Sequence, residues 1–296
     1  VAYANALPGL ISAAICEAAE NLEPARLGWA VRETDLNRNR HTQRRPKPRD
    51  PELAVLRVDK ADGSPLAVMV NFAAHPTILN LMDRRFSAEW PGKMNDVVAE
   101  ALGAPCLFLQ GAAGDLSPNT NDQRRGVDGF GAAIGAVVAE MVQGIETAVP
   151  EAPGIRAVER TFDYETRINF KEPLIIATFR TFFFKELLAM AVEFDDNRIN
   201  PRMTVMVLNE ELGLVSGSGE FFSAHATQLK AESPTPETLF IGYANGHHMY
   251  FPTLPAVDEG GYGADPAVSW VPPGAGEEMM AWALAQLEAL AAAPAQ

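Results

Sequence analysis

The sequence predicts an α/β fold in which layered, mixed β-sheets are flanked by helices. Apolar runs typical of strands alternate along the chain with longer runs whose apolar residues recur at helical spacing. Short stretches rich in Gly, Asp, Asn and Ser follow several of the strand-like runs. The 296 residues are 47% hydrophobic and contain no linker-like tract, so we expect one domain that spans residues 1–296.

The first elements of the chain are predicted to be a helix and a hairpin. "PGLISAAICEAAENL" (8–22) places a proline in its first turn and apolar residues at helical spacing. "ELAVLRV" (52–58) and "PLAVMVNFAAH" (65–75) are β-rich and are separated by "DKADGS". This pattern predicts two antiparallel strands, with His75 at the end of the second.

A strand between two helices is predicted next. "AEWPGKMNDVVAEALG" (88–103) has the apolar spacing of a helix and a glycine suited to its C-terminal cap. "CLFLQ" (106–110) predicts a strand, and residues 129–148 predict a helix. In the second half, strands are predicted within 157–166, 203–220 and 238–245, and helices at 221–233 and 275–292. No internal sequence repeat is found.

Composition excludes several classes of function. The formal net charge of −14 argues against binding to nucleic acid or to anionic membrane surfaces. The basic run 32–49 is interpreted as a solvated loop. The most apolar run, 173–194, contains internal charges, so we expect a helix there and no transmembrane segment. Cys16 and Cys106 do not fix the compartment, and no signal peptide is visible at Val1.

Polar residues cluster at the ends of the predicted strands, where separate segments of a layered sheet converge on one pocket. The stretches are "LNRNR" (36–40), "NFAAHPT" (71–77), "GAAGDLSPN" (111–119), "SGSGEF" (216–221) and "GYANGHHMYFPT" (242–253). Taken singly, His75 is typical of a hydrogen-bonded core histidine and Ser117 of a turn. Glu220 is typical of a helix N-terminus, and Tyr250 of a packed aromatic.

In this order, and with "EGGY" (259–262), these stretches resemble the catalytic domain of the neutral/alkaline, non-lysosomal ceramidase family. The resemblance runs from about residue 10 to residue 290. It implies a ceramidase-type α/β catalytic domain without the C-terminal immunoglobulin-like domain of full-length ceramidases. It also implies zinc-dependent hydrolysis of an N-acyl amide bond.

The zinc ligands that the resemblance implies are His75, Glu220 and Tyr250. Zinc accepts imidazole nitrogen and carboxylate oxygen, and a site with one open position lowers the pKa of bound water to about 7. The expected attacking group is therefore metal-activated water. A serine nucleophile would need a base within hydrogen-bond reach, which sequence alone does not place.

Further active-site residues are implied by the same resemblance. Ser117 matches the serine of the "GDxSPN" loop, and Tyr262 matches an active-site tyrosine. Arg38 matches the family's arginine, with Arg40 as the alternative because the "NR" dipeptide occurs twice. Arg38, Tyr262 and the backbone N–H groups of the glycine loop are suited to stabilising the tetrahedral oxyanion of amide hydrolysis.

The family's first zinc histidine, and a histidine that handles protons, lie in an upstream "HTHSG"-like stretch that is absent here. We therefore expect a chain that is N-terminally truncated and begins just after those residues. His225, His247 and His248 are interpreted as surface or core histidines rather than replacement ligands, because zinc requires near-tetrahedral geometry.

The implied substrate is a small amphiphilic molecule or lipid resembling ceramide. The Phe-rich segment 179–194 either lines an apolar trench for its chains or is an ordinary core helix. Two alternatives stay open: metal-dependent hydrolysis of another acyl amide or ester, and a catalytically impaired homologue that only binds ligand. Relatives are commonly secreted, periplasmic or surface-exposed, and the resemblance suggests the same location here.

Overall fold

The structure is a computed structural model that describes residues 2–80, 82–83, 85–151, 153–182 and 196–292. Its helices are α1 (Ala2–Glu20), α2 (Glu89–Leu102), α3 (Gly126–Gly144), α4 (Pro173–Phe182), α5 (Ser223–Glu232), α6 (Leu254–Glu259) and α7 (Ala275–Ala292). The strands of the first half are β1 (Ala25–Glu33), β2 (Asn37–Asn39), β3 (Glu52–Lys60), β4 (Pro65–Phe72), β5 (Cys106–Gln110) and β6 (Leu116–Pro118). Those of the second half are β7 (Ile155–Thr161), β8 (Tyr164–Glu165), β9 (Arg198–Ile199), β10 (Arg202–Leu208), β11 (Leu212–Gly217), β12 (Glu220–Phe221), β13 (Glu237–Ile241) and β14 (Tyr250–Phe251).

Two four-stranded mixed sheets form the centre of the fold. The strand order is β1-β3-β4-β5 in the first sheet and β13-β11-β10-β7 in the second. In each sheet, three strands are antiparallel and one edge strand, β5 or β13, is parallel to its neighbour. The predicted α/β class with mixed sheets and flanking helices is confirmed. The two sheets share this topology although the sequence shows no repeat.

Alternation of side chains along the strands sets the order of the layers. One face of the first sheet, including Leu53 and Val70, packs on α2 and α3. Its other face, including Leu56, meets Leu212 and Leu239 of the second sheet. The far face of the second sheet packs on α5 and α7. The result is a helix–sheet–sheet–helix stack in which both sheets are covered on each face.

Two apolar segments, α1 and the run 173–194, do not belong to this stack as it is described. The described side chains of α1 are exposed throughout the helix, and α1 begins before the predicted residue 8. Helix α4 covers the start of the apolar run 173–194, whereas residues 183–195, with most of the predicted trench segment, lie outside the described residues. None of the helices described is both long and apolar enough to cross a membrane.

The basic run 32–49 is not the fully solvated loop that its charge predicted. It contains β2, which pairs with β6, and the side chains of Asn37 and Asn39 are buried. Asn37 Nδ2 donates to the Asp50 and Ala73 carbonyls at 2.6 and 2.8 Å. These amide contacts draw the middle of the run into the protein and leave only part of its charge in solvent.

His225 of α5 makes the folded state sensitive to acid. Its side chain is 3% exposed, and its Nε2 atom has no hydrogen-bond partner. Burial lowers the pKa of His225, although the neighbouring Glu277 carboxylate opposes that shift. The unfolded chain therefore takes up this proton first as the pH falls below about 6.5, so stability present at neutral pH is lost on acidification.

We expect His225→Gln to reduce this loss of stability below pH 6.5. One proton contributes at most about 1.4 kcal/mol per pH unit to the free energy of unfolding. Urea unfolding between pH 7.5 and 5.5 measures this slope for the variant and for the wild-type protein. A His225→Gln variant with the full wild-type slope would contradict the assignment.

Candidate active site

The segments that follow four strands converge at the boundary between the two sheets. The segments that follow β4, β5, β11 and β13 carry His75, Ser117, Glu220 and Tyr243, respectively. Asn71 Nδ2, at the end of β4, joins the sheets by donating to the Leu109 and Phe240 carbonyls, both at 3.0 Å. The carboxyl ends of the parallel pairs β4/β5 and β11/β13 thus meet, as expected for a site in a layered sheet.

A short pair of parallel strands places Glu220 beside Tyr250. Strands β12 and β14 pair Glu220 with Tyr250 and Phe221 with Phe251. The two phenylalanine rings stack with centroids 4.2 Å apart and are fully buried. Successive side chains of a strand point to opposite faces. Because both rings are anchored in the core, the carboxylate and the phenol lie on the other face, beside His75.

His75 is held from both sides of its ring. Its Nε2 atom lies 2.6 Å from Glu220 Oε2, and its Nδ1 atom lies 3.1 Å from the Leu116 carbonyl. The indole of Trp90 donates to the His75 carbonyl at 3.2 Å, which fixes the backbone. The imidazole is therefore buried with Nε2 aimed at the carboxylate.

Glu220 is the hub of the cluster. Its second oxygen, Oε1, lies 3.2 Å from His247 Nε2, and the β12–β14 pairing sets Tyr250 beside Glu220. Burial alone would raise the pKa of Glu220, but hydrogen bonds from His247 and His75 outweigh it and hold that pKa well below its usual range. The carboxylate is therefore charged at neutral pH. Burial and the charge of Glu220 raise the pKa of Tyr250, so that phenol stays protonated.

Arg40, the alternative to Arg38, is the arginine that the structure brings to this cluster. Its Nη2 atom lies 3.4 Å from His75 Nε2, 3.2 Å from the Gly114 carbonyl and 3.5 Å from Tyr250 Oη. Arg38 is one of the three residues of β2, and its side chain is exposed between two buried asparagines. Alternation along a strand would give residues 38 and 40 the same side, but β2 ends at Asn39. The contacts that Arg40 makes just beyond the strand therefore separate the two candidates.

The glycine loop brings its backbone against Glu220. A Cβ atom at Gly114 would lie 2.6 Å from the Glu220 carbonyl oxygen and 2.8 Å from the Phe222 ring. The Gly114 N–H donates to the Phe221 carbonyl at 2.8 Å. Ser117 is buried in β6 and follows Leu116, whose carbonyl contacts His75. The loop thus has small residues because the Glu220 segment passes close to it.

Asp115 ties three segments of the site together. This buried carboxylate accepts hydrogen bonds from Asn39 Nδ2 at 2.6 Å and from the Ser223 backbone N–H and hydroxyl at 2.6 and 3.0 Å. Burial raises the pKa of Asp115, and the two Ser223 hydrogen bonds oppose that shift. The carboxylate connects the loop after β5 to Asn39 at the end of β2 and to the start of α5.

Tyr262 lies at the open side of the site. Its ring is exposed, and the Tyr262 and Tyr250 ring centroids are 5.5 Å apart. The turn that carries it follows α6, where the Glu259 carboxylate accepts from Thr42 Oγ1 at 2.6 Å and from Arg44 Nε at 3.1 Å. His41 Nε2 also contacts the Gly260 carbonyl at 2.7 Å. The segment after Arg40 is thereby bound to the turn that bears Tyr262.

Tyr243 was not among the predicted site residues and His247 was interpreted as a surface or core histidine, yet both side chains reach the cluster. Tyr243 Oη lies 3.1 Å from His75 Nε2, and His247 contacts Glu220 as described. His248 instead bonds to Ser218, and His225 lies in α5. A tyrosine directly after a strand and before "NG" was the one local signal for Tyr243, and the contacts themselves are long-range.

Gly114→Ala is expected to destabilise the protein and disturb the site. The new methyl group would clash with backbone, which cannot turn away as a side chain can, and overpacking of this kind costs about 2 kcal/mol. Thermal unfolding should show a midpoint about 3 °C lower. Gly144→Ala is the control, because a Cβ there meets nothing within 4 Å. An unchanged midpoint for Gly114→Ala would contradict the close approach.

The strand arrangement matches two solved structures over nearly the whole chain. Neutral ceramidase from Pseudomonas aeruginosa matches with a TM-score of 0.74 and 16% identity, covering 94% of this chain and 54% of that chain. The chain has the ceramidase fold. A ceramidase complexed with C2 matches with a TM-score of 0.72 and 16% identity, covering 95% of this chain and 56% of that one. The resemblance inferred from the sequence motifs is thus confirmed for the fold.

The ceramidase-like chain spans a little over half the length of each solved ceramidase chain. No protein-family model matches the sequence. No curated protein matches it either. The similarity therefore rests on the three-dimensional arrangement of the chain.

The donor set at the centre of this ceramidase-like fold is chemically suited to zinc. It combines an imidazole, a charged carboxylate and a phenol, and the carbonyl beside His75 Nδ1 is the outer partner that metal-binding histidines use. Within the described ranges, no group of three or more His, Cys, Asp and Glu side chains is arranged to hold a metal ion. A zinc ion at this position would therefore need Tyr250 as a ligand in addition to His75 and Glu220.

Proposed function

We propose that the chain is a zinc-dependent hydrolase that cleaves the N-acyl amide bond of a ceramide-like lipid, giving a sphingoid base and a fatty acid. The observation that carries the proposal is the meeting of His75, Glu220 and Tyr250 in one cluster of a ceramidase-like fold. These side chains come from segments up to 175 positions apart, so only folding brings them together.

His75, Glu220 and Tyr250 would hold the ion. When bound, zinc would supply Lewis-acid activation of water near neutral pH. The His75 imidazole is kept in place by the Leu116 carbonyl and the Trp90 indole, so its ring needs little reorganisation. The charged Glu220 carboxylate supplies the negative charge that a divalent cation requires in a buried site.

Arg40 and Tyr262 would stabilise the charge that develops on the substrate oxygen. Arg40 presents a fixed positive charge beside His75 and Tyr250, and Tyr262 presents a phenol at the exposed side of the same cluster. Donors that are already in place when charge develops lower the barrier by about 3 kcal/mol each. Ser117, buried next to the residue that holds His75, would position substrate or water.

A ligand-binding homologue without catalysis is the second candidate. It is favoured by the direct hydrogen bond between His75 and Glu220 and by the Arg40 guanidinium beside His75. Together these contacts balance the charge of the carboxylate with protein groups alone. This candidate predicts that no metal copurifies and that Glu220→Gln leaves ligand binding unchanged.

The two candidates are separated by metal analysis of the purified protein, followed by a fatty-acid release assay. We expect about one zinc per chain and release of fatty acid from an N-acyl sphingoid base. If ceramide is not cleaved, assays with a panel of other acyl amides and esters identify the type of bond that the protein hydrolyses. Protein that holds no zinc after incubation with the ion, and cleaves none of the panel, would overturn the proposed hydrolase.

Arg40→Gln is expected to lower kcat about 100-fold, the usual effect of removing one oxyanion donor. Arg38→Gln is the matched control and should change kcat less than about twofold, because its side chain is exposed. Steady-state hydrolysis of an N-acyl sphingoid base measures both. The reverse order of effects would make Arg38 the active-site arginine.

A further inference from the structure

The loop between β13 and β14 is held in an unfavourable backbone conformation. Three of its non-glycine residues, Tyr243, Asn245 and Met249, have positive φ values of 58°, 61° and 63°. Such conformations are costly for residues with a Cβ atom and persist where the surrounding structure enforces them, frequently at functional sites. The structure around the loop must therefore hold these three residues in place.

Backbone hydrogen bonds fix this loop against the segment that precedes Glu220. The Tyr243 N–H donates to the Gly219 carbonyl at 3.2 Å, and the Ala244 N–H donates to the Gly217 carbonyl at 3.1 Å. The His248 N–H donates to the Ser218 carbonyl at 2.8 Å. The strained turn is thus tied to the segment that carries the carboxylate of the proposed ligand set.

The strained turn brings a phenol and an imidazole to the cluster as a stacked pair. The rings of Tyr243 and His247 are parallel within 1°, with centroids 5.5 Å apart. Tyr243 Oη lies 3.1 Å from His75 Nε2, and His247 Nε2 lies 3.2 Å from Glu220 Oε1. The stack therefore fixes the direction of the phenol, while the carboxylate fixes the imidazole.

Tyr243 differs from Tyr250 in its access to substrate. Tyr243 is 40% exposed, whereas Tyr250 is 4% exposed. Tyr243 thus has its hydroxyl within the cluster and part of its ring at the open side, where a substrate must approach. Its position combines contact with the proposed reaction centre and contact with solvent.

We propose that Tyr243 is a further catalytic residue whose hydroxyl donates a hydrogen bond to the oxygen of the scissile acyl group, with His247 as the residue that positions its ring. The proposal rests on the hydrolase function proposed above. No covalent bond forms to Tyr243. Its hydroxyl binds the oxygen more strongly as negative charge develops there, which selectively stabilises the transition state.

The test compares binding of a planar amide with binding of a tetrahedral, anionic analogue. The probes are N-octanoyl sphingosine and its phosphonamidate analogue, and with zinc present the KM of the amide and the inhibition constant of the analogue measure the two affinities. Tyr243→Phe is expected to weaken the analogue about 100-fold and the planar amide less than twofold. Tyr164→Phe, in β8, is the matched control and should change neither affinity.

His247 is tested by the kind of side chain that replaces it. His247→Phe keeps an aromatic partner for the stack, so the ratio of the two affinities should stay within about threefold of wild type. His247→Gln removes the ring, and the ratio should fall at least tenfold toward that of Tyr243→Phe. Steady-state kinetics should show the same pattern in kcat with KM little changed, which general loss of structure would not produce.

The outcomes separate this inference from the proposed function. A wild-type protein that prefers the tetrahedral analogue, together with Tyr243→Phe showing the same preference, would overturn the role of Tyr243 alone. Equal weakening of both ligands by Tyr243→Phe would also overturn it, because the phenol would then contribute only to ground-state binding. A wild-type protein that binds neither probe would overturn the hydrolase proposal and this inference with it.

Discussion

Replacing Glu220 by glutamine is expected to remove zinc binding and amide hydrolysis together. The carboxylate is buried, stays charged, and hydrogen-bonds to His75 and His247. Glutamine keeps the shape but not the charge, and it places an NH2 group against donors that need an acceptor. Loss of an outer-sphere partner typically costs 10- to 100-fold in metal affinity, so loss of a proposed ligand should cost at least about 100-fold.

Zinc titration by calorimetry and a fatty-acid release assay measure this loss, with Glu211→Gln as a matched control in the exposed turn between β10 and β11. The control should bind zinc and hydrolyse substrate as the wild type does. Full zinc affinity in Glu220→Gln would remove Glu220 from the ligand set. Lost hydrolysis with full zinc affinity would assign Glu220 a role in proton transfer or substrate binding instead.

Asp115→Ala is expected to cause the largest loss of stability. The carboxylate is buried and satisfies three donors, from Asn39 and Ser223. Removing it leaves those donors buried without an acceptor, at about 1–3 kcal/mol each, although partial relaxation reduces the sum. We expect the free energy of unfolding to fall by about 4 kcal/mol. Activity should fall as well, because Asn39 precedes Arg40 and Ser223 closely follows Glu220.

Urea unfolding measures the stability loss against Asp62→Ala. Asp62 lies in the exposed turn between β3 and β4 and accepts from Ser64, so its removal should cost far less stability than the removal of Asp115. A loss for Asp115→Ala no greater than that of Asp62→Ala would show that the three segments hold together without this carboxylate.

Elements with strong local signals were predicted well. The "DKADGS" turn joins antiparallel strands β3 and β4, and Gly103 ends α2 in a left-handed conformation with φ of 67°. The run 106–110 is β5. These features follow from turn chemistry, caps and apolar runs that lie within a few residues of one another. The stacking of the two sheets was not predicted, because alternation marks an apolar face without saying what covers it.

The site was only partly readable from the sequence. The strand-end motifs identified His75, Glu220 and Tyr250 before the structure brought them together, and their roles stay proposals. Choosing between Arg38 and Arg40 required the contacts of Arg40 beyond the end of β2, because strand alternation gives residues 38 and 40 the same side. Tyr243 and His247 depend on positive-φ residues and on contacts with a distant carboxylate, and neither leaves a periodic signal.

The most direct test of the central claim is anomalous diffraction at the zinc edge from crystals grown with zinc. We expect one strong peak bonded to His75 Nε2, a Glu220 carboxylate oxygen and Tyr250 Oη, at about 2 Å from each. A zinc peak only at another site, or no zinc peak near these three side chains, would contradict the claim that they form a zinc centre.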